Sequence, residues 1–149
     1  MWKVGAGFAL GVLLGLVPWL RSPSFAYQAI RGGSIVRLNI YLALGGDPNA
    51  RTPNGTLLFA AADEGQGPHP LVEQVRALVH HGANPNLGRD GGTPLMAAAM
   101  WCAPELVKEL LELGADPAAV DSRGRTAAQE ACIGPIEARN ETLRALGQP

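Results

Sequence analysis

Three threonine-led boxes, each trailing a glycine turn, run through most of this 149-residue chain. Gly45-Gly46-Asp47-Pro48 leads into Thr56-Leu57-Leu58-Phe59-Ala60-Ala61-Ala62. Gly82-Ala83-Asn84-Pro85 leads into Thr93-Pro94-Leu95-Met96-Ala97-Ala98-Ala99. Gly114-Ala115-Asp116-Pro117 leads into Thr126-Ala127-Ala128-Gln129-Glu130-Ala131-Cys132. The threonines stand at 56, 93 and 126, so the period is 37 and then 33 residues. Self-similarity on this scale signals a stack of small units, because no unit of that size buries its apolar face alone.

The central unit shows the local chemistry most clearly. Pro94 follows Thr93 where a helix begins and a missing N–H costs nothing. Ala97, Ala98 and Ala99 allow that helix to approach its neighbours closely. Pro104 opens a second helix, with Leu106, Val107, Leu110 and Leu111 at helical spacing. Gly114 ends it with a left-handed cap. Asp116-Pro117 and Asp121-Ser122-Arg123-Gly124 carry turn chemistry.

These residues resemble the ankyrin repeat, whose period is about 33 residues and whose helix opens on a T-P-L box. The resemblance covers roughly Ser24 to Leu146. It implies an all-α, ankyrin-like solenoid of four helix-turn-helix units. In the first unit, a helix from about Ser24 to Arg31 precedes one carrying Ile35, Val36, Leu38, Ile40 and Leu42. Pro135 to Leu146 closes the last. The second unit departs from the pattern, with five extra residues between Ala62 and Gly82 that fall in Asp63 to Pro70. Two Gly and two Pro make this excess a loop. It is either a contact loop or a tolerated surface insertion.

A separate segment precedes the repeats. Residues 1–23 form a signal anchor or signal peptide and 24–149 the repeat domain. Val4 to Leu20 holds no charge over 17 residues, the lower limit for a membrane-spanning helix. Trp2 and Trp19 bracket it where amphipathic rings favour the interface. As an anchor, this hydrophobic helix presents Gly7, Gly11 and Gly15 on one face for close helix packing. As a signal peptide, it is cut after Ser24-Phe25-Ala26 and leaves Tyr27 first. Lys3 and the amino terminus oppose Arg21, Arg31 and Arg37, so charge does not settle the orientation. The export-like architecture points to repeats outside the cytoplasm, and the composition to a bacterial periplasm.

From Tyr27 onward there are 10 Lys and Arg against 13 Asp and Glu. That mild acidity and the lack of a basic patch argue against a nucleic-acid partner. Two cysteines, Cys102 and Cys132, are a candidate disulfide in an oxidising compartment. Cys102 stands where the inter-helix turn usually has Gly. Stacked helices lie about 10 Å apart, whereas a bridge needs Cα atoms within about 7 Å. Two small buried thiols are therefore the alternative.

No catalytic constellation is legible. His80 and His81 are adjacent on one helix and diverge, and His69 lies in the insertion. No CxxC, HExxH or CxxCH occurs, so no metal, haem or other cofactor is expected. Gly88-Arg89-Asp90-Gly91-Gly92 lacks the preceding strand and following Lys of a phosphate loop. Glu73, Glu105, Glu109 and Glu112 read as a solvated helix face. The chain is expected to be no enzyme and to take no small-molecule substrate.

What remains is surface. The resemblance implies protein binding through hairpin tips and first helices. The tips are Arg51, Thr52, Pro53 and Asn54; Gly88, Arg89 and Asp90; and Asp121, Ser122 and Arg123. The helix positions are Ala60, Asp63 and Glu64; Ala97, Met100 and Trp101; and Glu130 and Ile133. Met100 and Trp101 are large and apolar where the repeat usually has polar residues, and Trp is enriched at binding hot spots. Trp101 either contacts a partner or folds down over Cys102. The expectation is a non-enzymatic binding module, tethered as an accessory or assembly subunit of a membrane protein complex. The alternative is a soluble periplasmic binder or inhibitor of an enzyme or toxin.

Overall fold

The computed structural model describes residues 18–64, 71–132 and 135–147. The apolar stretch as far as Val17, with Gly7, Gly11 and Gly15, lies outside these residues, as do the insertion at 65–70 and Ile133. No helix among the described residues is long and apolar enough to cross a membrane.

Eight helices among the described residues follow one another two to a unit: α1 (Pro23–Arg31) and α2 (Ile35–Ala43), α3 (Leu57–Asp63) and α4 (Val72–His80), α5 (Pro94–Met100) and α6 (Pro104–Glu112), and α7 (Ala127–Glu130) and α8 (Ile136–Ala145). Between the first two pairs, β1 (Arg51–Thr52) and β2 (Gly55–Thr56) make a minimal antiparallel hairpin. A single bridge, Arg89 to Gly92, marks the corresponding turn one unit later.

The first helices of the first three units begin on side-chain caps, which satisfy backbone N–H groups that have no partner within the helix. Ser22 Oγ accepts from Phe25 N, Thr56 Oγ1 from Phe59 N and Thr93 Oγ1 from Met96 N. Helix α1 thus starts slightly before Ser24, because Ser22-Pro23 supplies both the cap and a proline in the first turn. The buried threonine of the box has a second task. Thr56 Oγ1 donates to Leu87 O of the next unit at 2.7 Å.

The first helices α1, α3, α5 and α7 stack on one another, and α2, α4, α6 and α8 form a second layer. The core runs continuously between the layers through Ala26, Ile30, Leu38, Tyr41, Leu57, Leu58, Leu78, Leu95, Leu106 and Leu110. Ala60 and Ala97 are 1% and 3% exposed. These two alanines are therefore not surface positions: their small side chains let adjacent first helices close up until neither reaches solvent.

Two asparagines tie successive units together. Asn49 Nδ2 donates to Gly82 O at 3.0 Å, and its Oδ1 accepts from Asn84 N at 2.8 Å. Asn86 repeats this with Gly114 O and Asp116 N. The equivalent residue in the third unit is Ala118, which has no such groups. That boundary is joined covalently, by a disulfide between Cys102 and Cys132 with Cα atoms 5.3 Å apart. The helix-to-helix distance does not apply to this pair. Cys102 leaves α5 in the left-handed region at φ 54°. Ala131 is extended after α7, and Cys132 N donates to Ala99 O. Both sulfurs thus project from helix ends.

Candidate protein-binding surface

The loops between units form a row along one edge. Gly55, at φ 101°, sits where an added Cβ would stand 2.8 Å from Arg89 Cβ. Gly91, at φ 86°, would bring one to 3.0 Å from Ser122 N. Only glycine supplies both the positive φ and the close approach. The three tips therefore touch in sequence, and their outer residues share one surface.

On that surface Arg51, Arg89, Asp90, Ser122 and Arg123 are exposed. Arg89 Nε lies 3.2 Å from Asp90 Oδ2. Asp90 takes φ 51°, a conformation that Asp tolerates better than most residues. Asn54 is committed internally, donating from Nδ2 to Tyr27 Oη at 2.7 Å. In the third loop the carboxylate of Asp121 accepts from the backbone N–H groups of Arg125 and Arg123 and from the Arg125 guanidinium. Those bonds, led by the Arg125 N–H, hold it below the usual carboxylate range. Arg125 also pairs with Glu130. Ser122 and Arg123 are thus carried on a braced loop.

A second row follows the ends of the first helices. Arg31 Nε meets Glu64 Oε1 at 3.2 Å. One unit later, Trp101 Nε1 donates to Asp63 Oδ1 at 2.9 Å. The two bonds join corresponding positions, so an ion pair in the first step becomes an indole–carboxylate bond in the next. Trp101 is 37% exposed and Met100 43%. Trp101 is therefore anchored by its N–H with much of its ring in solvent, beside Met100. The tips precede the first helices, and these two side chains stand at the C-terminal end of α5. In the first unit a groove of about 420 Å³ opens between α1 and the first hairpin, lined by Tyr27, Gln28, Arg31, Arg51 and Pro53.

Two features escaped the sequence reading. Glu109 is not a solvated carboxylate. It is 8% exposed and takes Arg76 Nε and Nη2 on its two oxygens at 2.8 and 2.6 Å. The Arg76 hydrogen bonds hold its carboxyl below the usual range against the opposing effect of burial. The partner sits 33 residues away in the preceding unit, beyond any local pattern. The asparagine clamp was visible in principle, since Asn49 and Asn86 keep the 37-residue period of the threonine boxes.

Among the described residues no group of His, Cys, Asp and Glu side chains is gathered so as to hold a metal ion. His80 and His81 are exposed.

Comparison with known proteins agrees with this architecture. A family model described as ankyrin repeats in three copies matches residues 26–121 and 72–146. An ankyrin repeat and LEM domain-containing protein 1 homolog of Caenorhabditis elegans is 44% identical over 79 residues, which are 52% of this chain and 11% of that protein. Rabankyrin-5 of Homo sapiens is 39% identical over 79 residues, 48% of this chain and 7% of that protein. The chain thus spans about a tenth or less of the length of these relatives. Stacked helix pairs, threonine-capped first helices, touching hairpin tips and the family match together make this chain a member of the ankyrin repeat family, a protein-interaction module.

Proposed function

We propose that this chain is a membrane-tethered binding module that works outside the cytoplasm, in a bacterial periplasm, as an accessory or assembly subunit of a membrane protein complex. The observation that carries the binding role is the exposed Met100–Trp101 pair, its indole held by Asp63. Rigid presentation of an aromatic anchor lowers the entropy lost on association. The Cys102–Cys132 bridge supports an oxidising compartment, where such bonds persist. The uncharged run from Val4, with Gly7, Gly11 and Gly15 on one helix face, supports a tether that packs against another membrane helix. Retention of the segment is favoured over cleavage after Ala26. Ala26 is 0% exposed within α1, and the cut would remove the Ser22 cap and the buried Phe25.

The test is the native mass of the full chain extracted from its membranes in mild detergent. A stoichiometric complex with a membrane protein is expected. Trp101→Ala or Met100→Ala should weaken it at least tenfold, as hot-spot truncations do. Ile136→Ala, at an exposed site on α8, should leave it intact. A lone species beginning at Tyr27 would sink the tethered reading and favour a soluble binder or inhibitor.

A further inference from the structure

The first unit differs from the others in the outward residues of its second helix. Counting back from the glycine that ends each helix, Val36, Ile40 and Ala43 of α2 correspond to Glu105, Glu109 and Glu112 of α6. Where the third unit places three carboxylates, the first places three apolar side chains. Val36 is 66% exposed and Ile40 41%.

The same counting shows which way this face points. Arg37 corresponds to Gln74, which donates to Gly33 O of the preceding unit. Ile40 corresponds to Glu109, which pairs with Arg76 of the preceding unit. In α2 these positions have no earlier unit against them among the described residues. They look out of the N-terminal end of the stack.

That end is also the positive end. From Trp19 to Ala62 the chain has four cations, Arg21, Arg31, Arg37 and Arg51, against one acid, Asp47. From Asp63 onward it has seven cations against twelve acids. Arg21 stands beside the C-terminal end of α2, its guanidinium 3.6 Å from where a Cβ on Gly45 would be. Trp19, 50% exposed, packs edge-on against Phe25 at 4.8 Å between ring centroids.

We infer that this end of the first unit is a lipid-docking face. Trp19, Val36, Ile40 and Ala43 enter the headgroup region of an anionic bilayer, and Arg21 and Arg37 take its phosphates. The inference rests on the tethered reading, which supplies its geometry. The uncharged run ends at Leu20 and α1 begins at Pro23. A gap of so few residues spans on the order of 10 Å at most, so a bilayer anchor holds this end of the stack against the membrane. Exposed apolar side chains flanked by arginines suit such a surface. A second tethered copy does not fit as well. Its acidic excess lies in the second and third units, where eight acids from Asp63 to Asp116 stand against three cations, and at roughly 10 Å per stacked helix these units are held off the membrane from a basic end that lies against it.

The experiment uses the full chain in vesicles of phosphatidylglycerol and phosphatidylcholine. Single cysteines from Val36→Cys, Ile40→Cys and Ile136→Cys carry nitroxide labels, the native pair remaining bridged. Collision with oxygen relative to a water-soluble nickel complex should be several-fold higher at 36 and 40 than at 136. The difference should shrink in pure phosphatidylcholine. Labels at 36 and 40 as open to nickel as the one at 136 would overturn the docking face. So would shielding that appears without vesicles and grows with protein concentration, which would assign the face to a second copy. Alkaline carbonate extraction reports separately on the tether. Protein stripped by carbonate while 36 and 40 stay shielded in vesicles would sink the anchor and leave the docking face standing.

Discussion

The first unit buries Phe25, Ala26, Ala29 and Ile30 from one nine-residue helix and Leu38, Tyr41 and Leu42 from another. In the last unit, α7 has four residues and buries Ala127, while α8 buries Thr142 within its span and Leu146 just beyond it. Apolar burial holds the first unit to its neighbour. The last has little to bury, lacks the asparagine clamp at Ala118, and is joined by the Cys102–Cys132 bridge instead. Terminal repeats are generally the weak points of a stack, because each has one neighbour where internal units have two. Here the two ends solve that problem by different means.

Removing the bridge should therefore open the contrast most widely. Cys102→Ser with Cys132→Ser closes no loop across the 30-residue separation, and a loop of that length contributes about 3–4 kcal/mol. Hydrogen exchange should accelerate first in α7 and α8 while α1 to α4 keep their protection. Uniform acceleration along the chain would mean that the units unfold as one and that the ends do not differ.

Equivalent truncations should come next. Leu38, at 0% exposure, should cost about 2–3 kcal/mol as Leu38→Ala. Leu143, half-buried in α8, should cost about 1 kcal/mol or less as Leu143→Ala, since less apolar area is lost. Denaturant midpoints for the two variants check this, and equal shifts would erase the distinction.

Acid should produce the smallest effect and act on one side only. Glu109 and Asp121 are both held below their ordinary range, Glu109 by Arg76 and Asp121 first by the Arg125 N–H. Groups with depressed folded pKa values stabilise the fold above their unfolded pKa and lose that contribution as pH falls through the folded value. The loss should begin near pH 4 and deepen below it, loosening the third and fourth units. The positions in α2 that match Gln74 and Glu109 hold Arg37 and Ile40, neither of them a carboxylate. Glu109→Gln should flatten the response, as followed by exchange rates in α6 from pH 5 to 3. An unchanged profile would remove Glu109 from the account.

Much of this was legible beforehand because repeats advertise their own periods. Thr56, Thr93 and Gly114 marked helix ends to within a residue or two, since capping is a local event. Ser22 was overlooked because the first unit has no threonine box to align. Contacts between units were harder to see. Glu109 reads as a surface residue until Arg76, one unit earlier, is brought beside it. Ala60 and Ala97 were assigned to a binding face from their helical position alone, and the close packing of small side chains buried them. The cysteines looked too far apart because helix spacing was applied to residues that lie past the helix ends. Trp101 resisted any reading as wholly inside or outside, because its ring and its N–H have different surroundings.

The asparagine clamp gives the array a direction of growth. Each clamp reaches forward only, from Asn49 to the second unit's exit turn and from Asn86 to the third's. The series stops at Ala118, whose side chain has no amide to reach the fourth unit. A copy of the second unit spliced between the second and third would inherit both a donor and a receiver, whereas one spliced after the third would find no amide behind it. In the language of polymers, the two asparagines make the coupling between units directional, and Ala118 marks where that coupling passes from hydrogen bonds to a covalent link.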